Sequence, residues 1–210
     1  MKSILCFGDS NTWGYNPRTK ERYSRNERWT GVLRQELGDG YEIIEEGLNG
    51  RTTVWEDPIE EHKNGKEYLI PCLESHQPID LVTIMLGTND LKKRFSLSLS
   101  AFDIANSAAV LVDIALRSGS GPGGGAPKVL LMAPPRVGKL TEFGEMFEGA
   151  EVKSTKFSQH YRQIANDHGC EFLDTCQIVA SSDIDGIHLE LSEHQKLGQA
   201  VAALAKKILA

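Results

Sequence analysis

Four short polar clusters in this 210-residue chain carry residue types that could do covalent chemistry together. Gly8-Asp9-Ser10-Asn11-Thr12 offers a hydroxyl, and Asp185-Gly186-Ile187-His188 offers a base with a carboxylate three residues before it. Gly47-Leu48-Asn49-Gly50-Arg51 and Gly87-Thr88-Asn89-Asp90 offer backbone and side-chain N–H donors. Acyl transfer to serine needs a hydroxyl beside a base, a group that fixes the base's tautomer, and donors for the developing oxyanion. Ser10 would supply the nucleophile, His188 the base at neutral pH, and Asp185 the partner of the other ring nitrogen. The N–H of Gly50 and the amide of Asn89 would serve the oxyanion, where one such donor is worth about 2.7–4 kcal/mol of barrier. Each cluster alone has a plainer reading: Ser10 as a cap, Asn89 as a turn residue, Asp185 and His188 as a surface turn. Their coincidence favours nucleophilic catalysis.

Such clusters must be brought together by the fold. Near-continuous apolar runs at Ser3–Phe7, Tyr41–Glu45, Leu81–Met85 and Val129–Met132, with a weaker one at Cys170–Leu173, read as strands covered on both faces. Between them, Trp29, Val32, Leu33 and Leu37 form one helical stripe, and Ile104, Ala108, Leu111 and Ala115 another. The last segment opens on Ser192 with Gln195, a capping-box spacing, and places Leu197, Val201, Leu204 and Ile208 on one face. This alternation predicts a doubly wound α/β unit spanning residues 1–210, without repeat or linker. In a parallel sheet the carboxyl ends of the strands share one edge, so the first three clusters should converge there.

Composition narrows the remaining classes. A formal net charge of −6 gives no basic face for nucleic acid or an anionic membrane. Lys92-Lys93-Arg94 is short enough to be a solvated loop or a helix start. Cys6, Cys72, Cys170 and Cys176 fit no C-x-x-C spacing, and Asp185 and His188 lack further metal ligands at a recognisable distance. A reduced, cytoplasmic protein without metal is expected, and no run is long enough for a membrane span. Gly119-Ser120-Gly121-Pro122-Gly123-Gly124 fits a dinucleotide fingerprint in letters only. It follows a helix, precedes a strand, and contains a proline that removes an N–H.

Phe7-Gly8-Asp9-Ser10-Asn11-Thr12 resembles the first block of the SGNH, or GDSL, hydrolases. Gly50 resembles the second-block glycine, Gly87-Thr88-Asn89-Asp90 the third block, and Asp185-Gly186-Ile187-His188 the fourth, in the family's order. The resemblance implies a flavodoxin-like three-layer α/β/α sandwich around a five-stranded parallel sheet, and esterase chemistry with no cofactor. It also implies an oxyanion hole from the Ser10 N–H, the Gly50 N–H and the Asn89 side chain. Glu46 to Thr53 and Ile84 to Asp90 look similar to the arylesterase and acyltransferase (perhydrolase) branch, which implies small ester substrates and a homo-oligomer. A carbohydrate acetylesterase with the same triad and a non-catalytic α/β binding module stay open beside it. Gly8-Asp9-Ser10-Asn11-Thr12 is not the G-x-S-x-G elbow of α/β-hydrolases.

Two long connections, Trp55–Pro78 and Pro134–Gly149, leave strand ends on the expected edge and should rim the pocket with Phe143, Met146 and Phe147. Trp13, Asn49 and Pro134 are the expected substrate contacts. Asp90 is expected to brace the loops around Ser10, and the other histidines to take surface or core roles.

Overall fold

A computed structural model describes residues 1–96 and 99–210. Five strands, β1 (Lys2–Gly8), β2 (Tyr41–Gly47), β3 (Leu81–Met85), β4 (Lys128–Ala133) and β5 (Glu171–Asp174), form one parallel sheet in the order β2-β1-β3-β4-β5. Each expected strand is present, within two residues of its expected ends. The chain winds outward from β1 to β2, then crosses back to β3 on the other side, so β1 and β3 flank the switch point of the fold.

Alternation along the buried strands sends successive side chains to opposite layers. Leu5, Phe7, Val82, Ile84 and Leu131 pack against α3 (Gly65–His76), α5 (Ala101–Arg117) and α7 (Phe157–His168). Ile4, Cys6, Ile43, Leu81, Leu130 and Met132 pack instead against α2 (Trp29–Leu37) and α8 (Leu191–Ile208). The architecture is the expected α/β/α sandwich. Cys6 is fully buried among these groups, which pushes its thiol up to about 12. All four cysteines are free. Among the described residues, no helix is long and apolar enough to cross a membrane.

Short helices complete the chain: α1 (Ser10–Trp13), α4 (Lys93–Ser96) and α6 (Ala150–Ser154). The glycine-rich stretch ends α5 and leads into β4 through a single turn, as its proline and its position suggest. Two expectations are corrected. The capping pair Ser192–Gln195 does not form: the chain is already helical at Leu191, Glu190 is the extended residue before it, and the Ser192 hydroxyl donates to Glu193. The capping box lies instead at α5, where Ser100 and Asp103 exchange hydrogen bonds. Lys92 and Arg94 are not solvated either. Lys92 is buried against Glu60 at 2.8 Å, and Arg94 donates to Asp57 at 3.0 Å, so the cluster clamps the long loop between β2 and α3. The helix start itself is as expected, since α4 begins at Lys93, which is exposed.

Two glycines are demanded by position. Gly47, where β2 ends, lies against α1 so closely that a Cβ would sit 2.1 Å from the Trp13 nitrogen. Gly87 has φ +131, and a Cβ there would meet the Tyr161 hydroxyl at 2.2 Å. That hydroxyl donates to the Leu86 carbonyl at 2.6 Å, fixing the chain as it leaves β3. Both glycines seat loops that reach the sheet's carboxyl edge.

Candidate active site

β1 ends at Gly8, and Asp9 starts the next turn by accepting the Asn11 N–H at 2.9 Å. Ser10 is thereby the first residue of α1, where its own N–H has no acceptor within the helix. Its Oγ lies 3.0 Å from His188 Nε2, and His188 Nδ1 lies 2.7 Å from Asp185 Oδ2. A carboxylate only accepts, so Nδ1 carries the ring proton and Nε2 presents a lone pair to the Ser10 hydroxyl.

The loop that bears His188 is folded by Asp185 itself. The other oxygen of its carboxylate, Oδ1, accepts the N–H groups of Ile187 at 2.8 Å and His188 at 2.9 Å. Burial pushes the Asp185 carboxyl up, but the His188 hydrogen bond and charge, with these backbone donors, more than offset it. Asp185 titrates below the ordinary aspartate value. Tyr15 lies over the imidazole, with ring centres 4.1 Å apart, and Phe143 meets it edge-on at 6.0 Å. These rings hold the plane of the imidazole.

Asn11 joins the two halves of this arrangement. Its side-chain amide donates to the Ile187 carbonyl at 3.2 Å and accepts the Leu189 N–H at 3.1 Å. One side chain therefore grips the main chain on both sides of His188, across most of the sequence.

The donor side comes from the loops after β2 and β3. Gly50 and Asn89 both border the cavity in front of Ser10. Asn89 Nδ2 donates to the Arg51 carbonyl at 3.0 Å, which aims the amide and leaves its second N–H available. Arg51 also donates to the Gly8 carbonyl at 2.9 Å, tying this loop to the end of β1. Asp90 accepts the Thr53 N–H at 3.2 Å and the Thr53 hydroxyl, so it braces this corner as the sequence suggested.

The cavity holds about 260 Å³. Tyr15, Phe143, Met146, Phe147 and Ile187 form an apolar wall, and Asn49, Glu60 and Lys92 a polar one. The two long connections thus rim the site as their positions implied. Asn49 lines the cavity, whereas Trp13 and Pro134 are not among its described lining residues. Trp13 turns its ring to the Arg22 guanidinium, 5.0 Å away, and Pro134 is buried at the end of β4 with its carbonyl facing Cys176. A larger cavity of about 430 Å³ lies between α3 and α5 and carries no serine–histidine pair.

Sequence reasoning passed over Asn11, Tyr15, Glu60 and Lys92. Asn11 stands beside Ser10, but its partners are main-chain atoms, which leave no mark in a sequence. Lys92 looked like one of three surface cations because its acidic partners lie in a distant loop.

Residues 6–195 match the model of the GDSL-like lipase/acylhydrolase family. The chain belongs to that family. Among solved structures, a carbohydrate acetylesterase from Sinorhizobium meliloti is 42% identical with a TM-score of 0.95, covering 99% of this chain and 100% of its own. The aryl esterase of M. smegmatis is also 42% identical, with a TM-score of 0.94 and the same coverage. A second S. meliloti carbohydrate acetylesterase family member is 33% identical at a TM-score of 0.94, covering 100% of this chain and 99% of its own. No curated protein matches. Membership in the GDSL-like family makes the chain a carboxylic ester hydrolase.

The Asn11 clasp generates one prediction. Asn11→Ala leaves the buried Leu189 N–H without its acceptor, a loss of about 1–3 kcal/mol in stability. It also frees His188 to drift, and turnover should fall roughly a hundredfold, as expected for a displacement near 1 Å. Denaturant unfolding and steady-state kinetics on the variant check both; wild-type turnover would show that His188 is held without Asn11. Asp90 generates another. Burial, only partly countered by Thr53, pushes its carboxyl up to about 6, against 3.8 ordinarily. The folded state then binds the extra proton between those values, so unfolding free energy declines as pH rises through that window and the cost is full above it. Asp90→Asn should gain stability relative to wild type as pH climbs from about 4 to about 6, then level off. Urea midpoints across this range test it, and a pH-independent difference would mean that Asp90 titrates normally.

Proposed function

We propose that this GDSL-like hydrolase is a serine esterase that cleaves short-chain carboxylic and aryl esters through an acyl-enzyme on Ser10. The observation that carries the reading is the unbroken chain Ser10 Oγ, His188, Asp185 at 3.0 and 2.7 Å, bordering a cavity of about 260 Å³. That volume is below the range typical of drug-sized ligands and suits a small acyl group.

In the acylation step the Ser10 oxygen bonds to the ester carbonyl carbon while its proton passes to His188 Nε2. The carbonyl oxygen becomes an oxyanion within reach of the N–H groups of Ser10 and Gly50 and the free N–H of Asn89. His188 returns the proton to the departing alcohol oxygen as the C–O bond breaks. Asp185, already accepting from Nδ1, stays ionised and stabilises the imidazolium between these events. Water, or another hydroxyl that reaches the cavity, then repeats the sequence and frees Ser10.

A second reading, a carbohydrate acetylesterase, is favoured by the polar wall. The Asn49 side-chain oxygen is buried without a donor among the described residues, beside Glu60 and Lys92. A polyol leaving group would supply that donor. Two of the similar structures bear that description.

Self-association and a cytoplasmic setting belong to the same proposal. The rim exposes Trp55, Ile59 and Met146, apolar groups that a subunit contact would cover, and four free cysteines suit a reducing compartment.

Ser10→Ala should lose on the order of a millionfold in turnover of 4-nitrophenyl acetate while folding normally; retained activity would refute the assignment of Ser10. On wild type, turnover should drop from acetyl to longer acyl chains, and comparison of aryl acetate with acetylated xylose separates the two readings. Light scattering at working concentration should give a mass above that of one chain, and a monomer would remove the interface.

A further inference from the structure

Next to Arg51, which donates to the Glu46 carbonyl and stacks on Tyr68, lies a cluster that the ester chemistry does not use. Glu46 stands near the end of β2, and Cys72 and His76 stand four residues apart on one face of α3. A carboxylate oxygen, the thiol sulfur and an imidazole nitrogen of these three residues lie within 4.8 Å of one another. His76 Nε2 is 2.9 Å from Glu46 Oε1, and the Tyr68 hydroxyl donates to the other Glu46 oxygen at 3.1 Å. Cys72 is buried beneath them, while Glu46 and His76 are partly open to solvent. We propose that Glu46, Cys72 and His76 bind a divalent cation of borderline softness, with Zn2+ as the type.

Thiolate, imidazole and carboxylate are the ligand types Zn2+ takes, and three protein ligands leave a fourth tetrahedral position for water from the open side. The distances require a small convergence. The cation takes the place of the proton shared by His76 and Glu46, and the sulfur draws inward from below. Tyr68 would then hold the free carboxylate oxygen, the outer support that ligating carboxylates usually have. Binding releases the Cys72 proton to solvent, since only the thiolate coordinates. One thiolate and one carboxylate balance a divalent charge, which limits repulsion from the neighbouring Arg51. That guanidinium is occupied with the Glu46 and Gly8 carbonyls and stacks on Phe7 at 4.2 Å. No sequence spacing announces the site, because Cys72 and His76 supply only a pair and the third ligand lies on another element. A bound cation would pin β2 to α3 at the root of the loop that carries Gly50.

Titration of the metal-stripped full-length protein with Co2+ tests the proposal. A near-ultraviolet thiolate-to-cobalt absorption should grow to one equivalent and be erased by Zn2+. Cys72→Ser should abolish it, His76→Gln should weaken binding at least about tenfold, and Tyr68→Phe on the order of 10–100-fold. If Cys72→Ser fails to fold, the partly exposed His76→Gln decides, with its metal-free esterase activity as the check on folding. Absence of the absorption, or an undiminished absorption in His76→Gln, would overturn the site.

Discussion

The approach of Ser10 to His188 depends on one amide. Ser10 and His188 approach from opposite ends of the chain, and the sheet alone brings them only to the same edge. Asn11 converts that neighbourhood into a fixed distance, because its two polar atoms fit the main chain on each side of His188 in only one register. Asp185 complements it from within the opposite loop by accepting two backbone N–H groups and the ring nitrogen. The histidine's position is thus fixed by polar contacts whose directions are strict, while the packed rings of Tyr15 and Phe143 hold its plane.

The same logic runs through the donor side. Arg51 gives a hydrogen bond to the end of β1 and takes one from Asn89, and Asp90 secures Thr53 just beyond it. Three strand ends are laced by side-chain-to-backbone bonds, nearly all of them buried. This security has a thermodynamic cost. Asp9 and Asp90 are both fully enclosed and both pushed up to about 6 by burial. The corner is therefore less stable when ionised than its hydrogen bonds alone suggest.

The sheet and its layers were legible because burial on both faces forces apolar runs, and these have few other readings. The meeting of Ser10, His188 and Asp185 was legible because hydroxyl, imidazole and carboxylate differ in type from their surroundings and sit in polar clusters beside the sheet's carboxyl edge. What escaped was of a different kind. Asn11 acts on carbonyl and N–H groups common to every residue. Lys92 and Arg94 draw their meaning from Asp57 and Glu60, more than thirty residues away. Trp13 was expected in the pocket from its nearness in sequence to Ser10, yet one helical turn carries it to the other side. Ser192 and Gln195 had the right spacing for a cap, but the preceding loop enters the helix a residue too early.

The cavity's two walls have separate origins. Its aromatic and aliphatic side comes mainly from the connection after β4, and its charged and amide side from the stretch after β2 together with the turn after β3. Neither connection contributes a strand to the sheet, and neither carries Ser10, Asp185 or His188. Lineages sharing this frame could therefore reshape the apolar wall and the polar wall independently, by altering one connection while leaving the other and the contacts among Ser10, His188 and Asp185 intact.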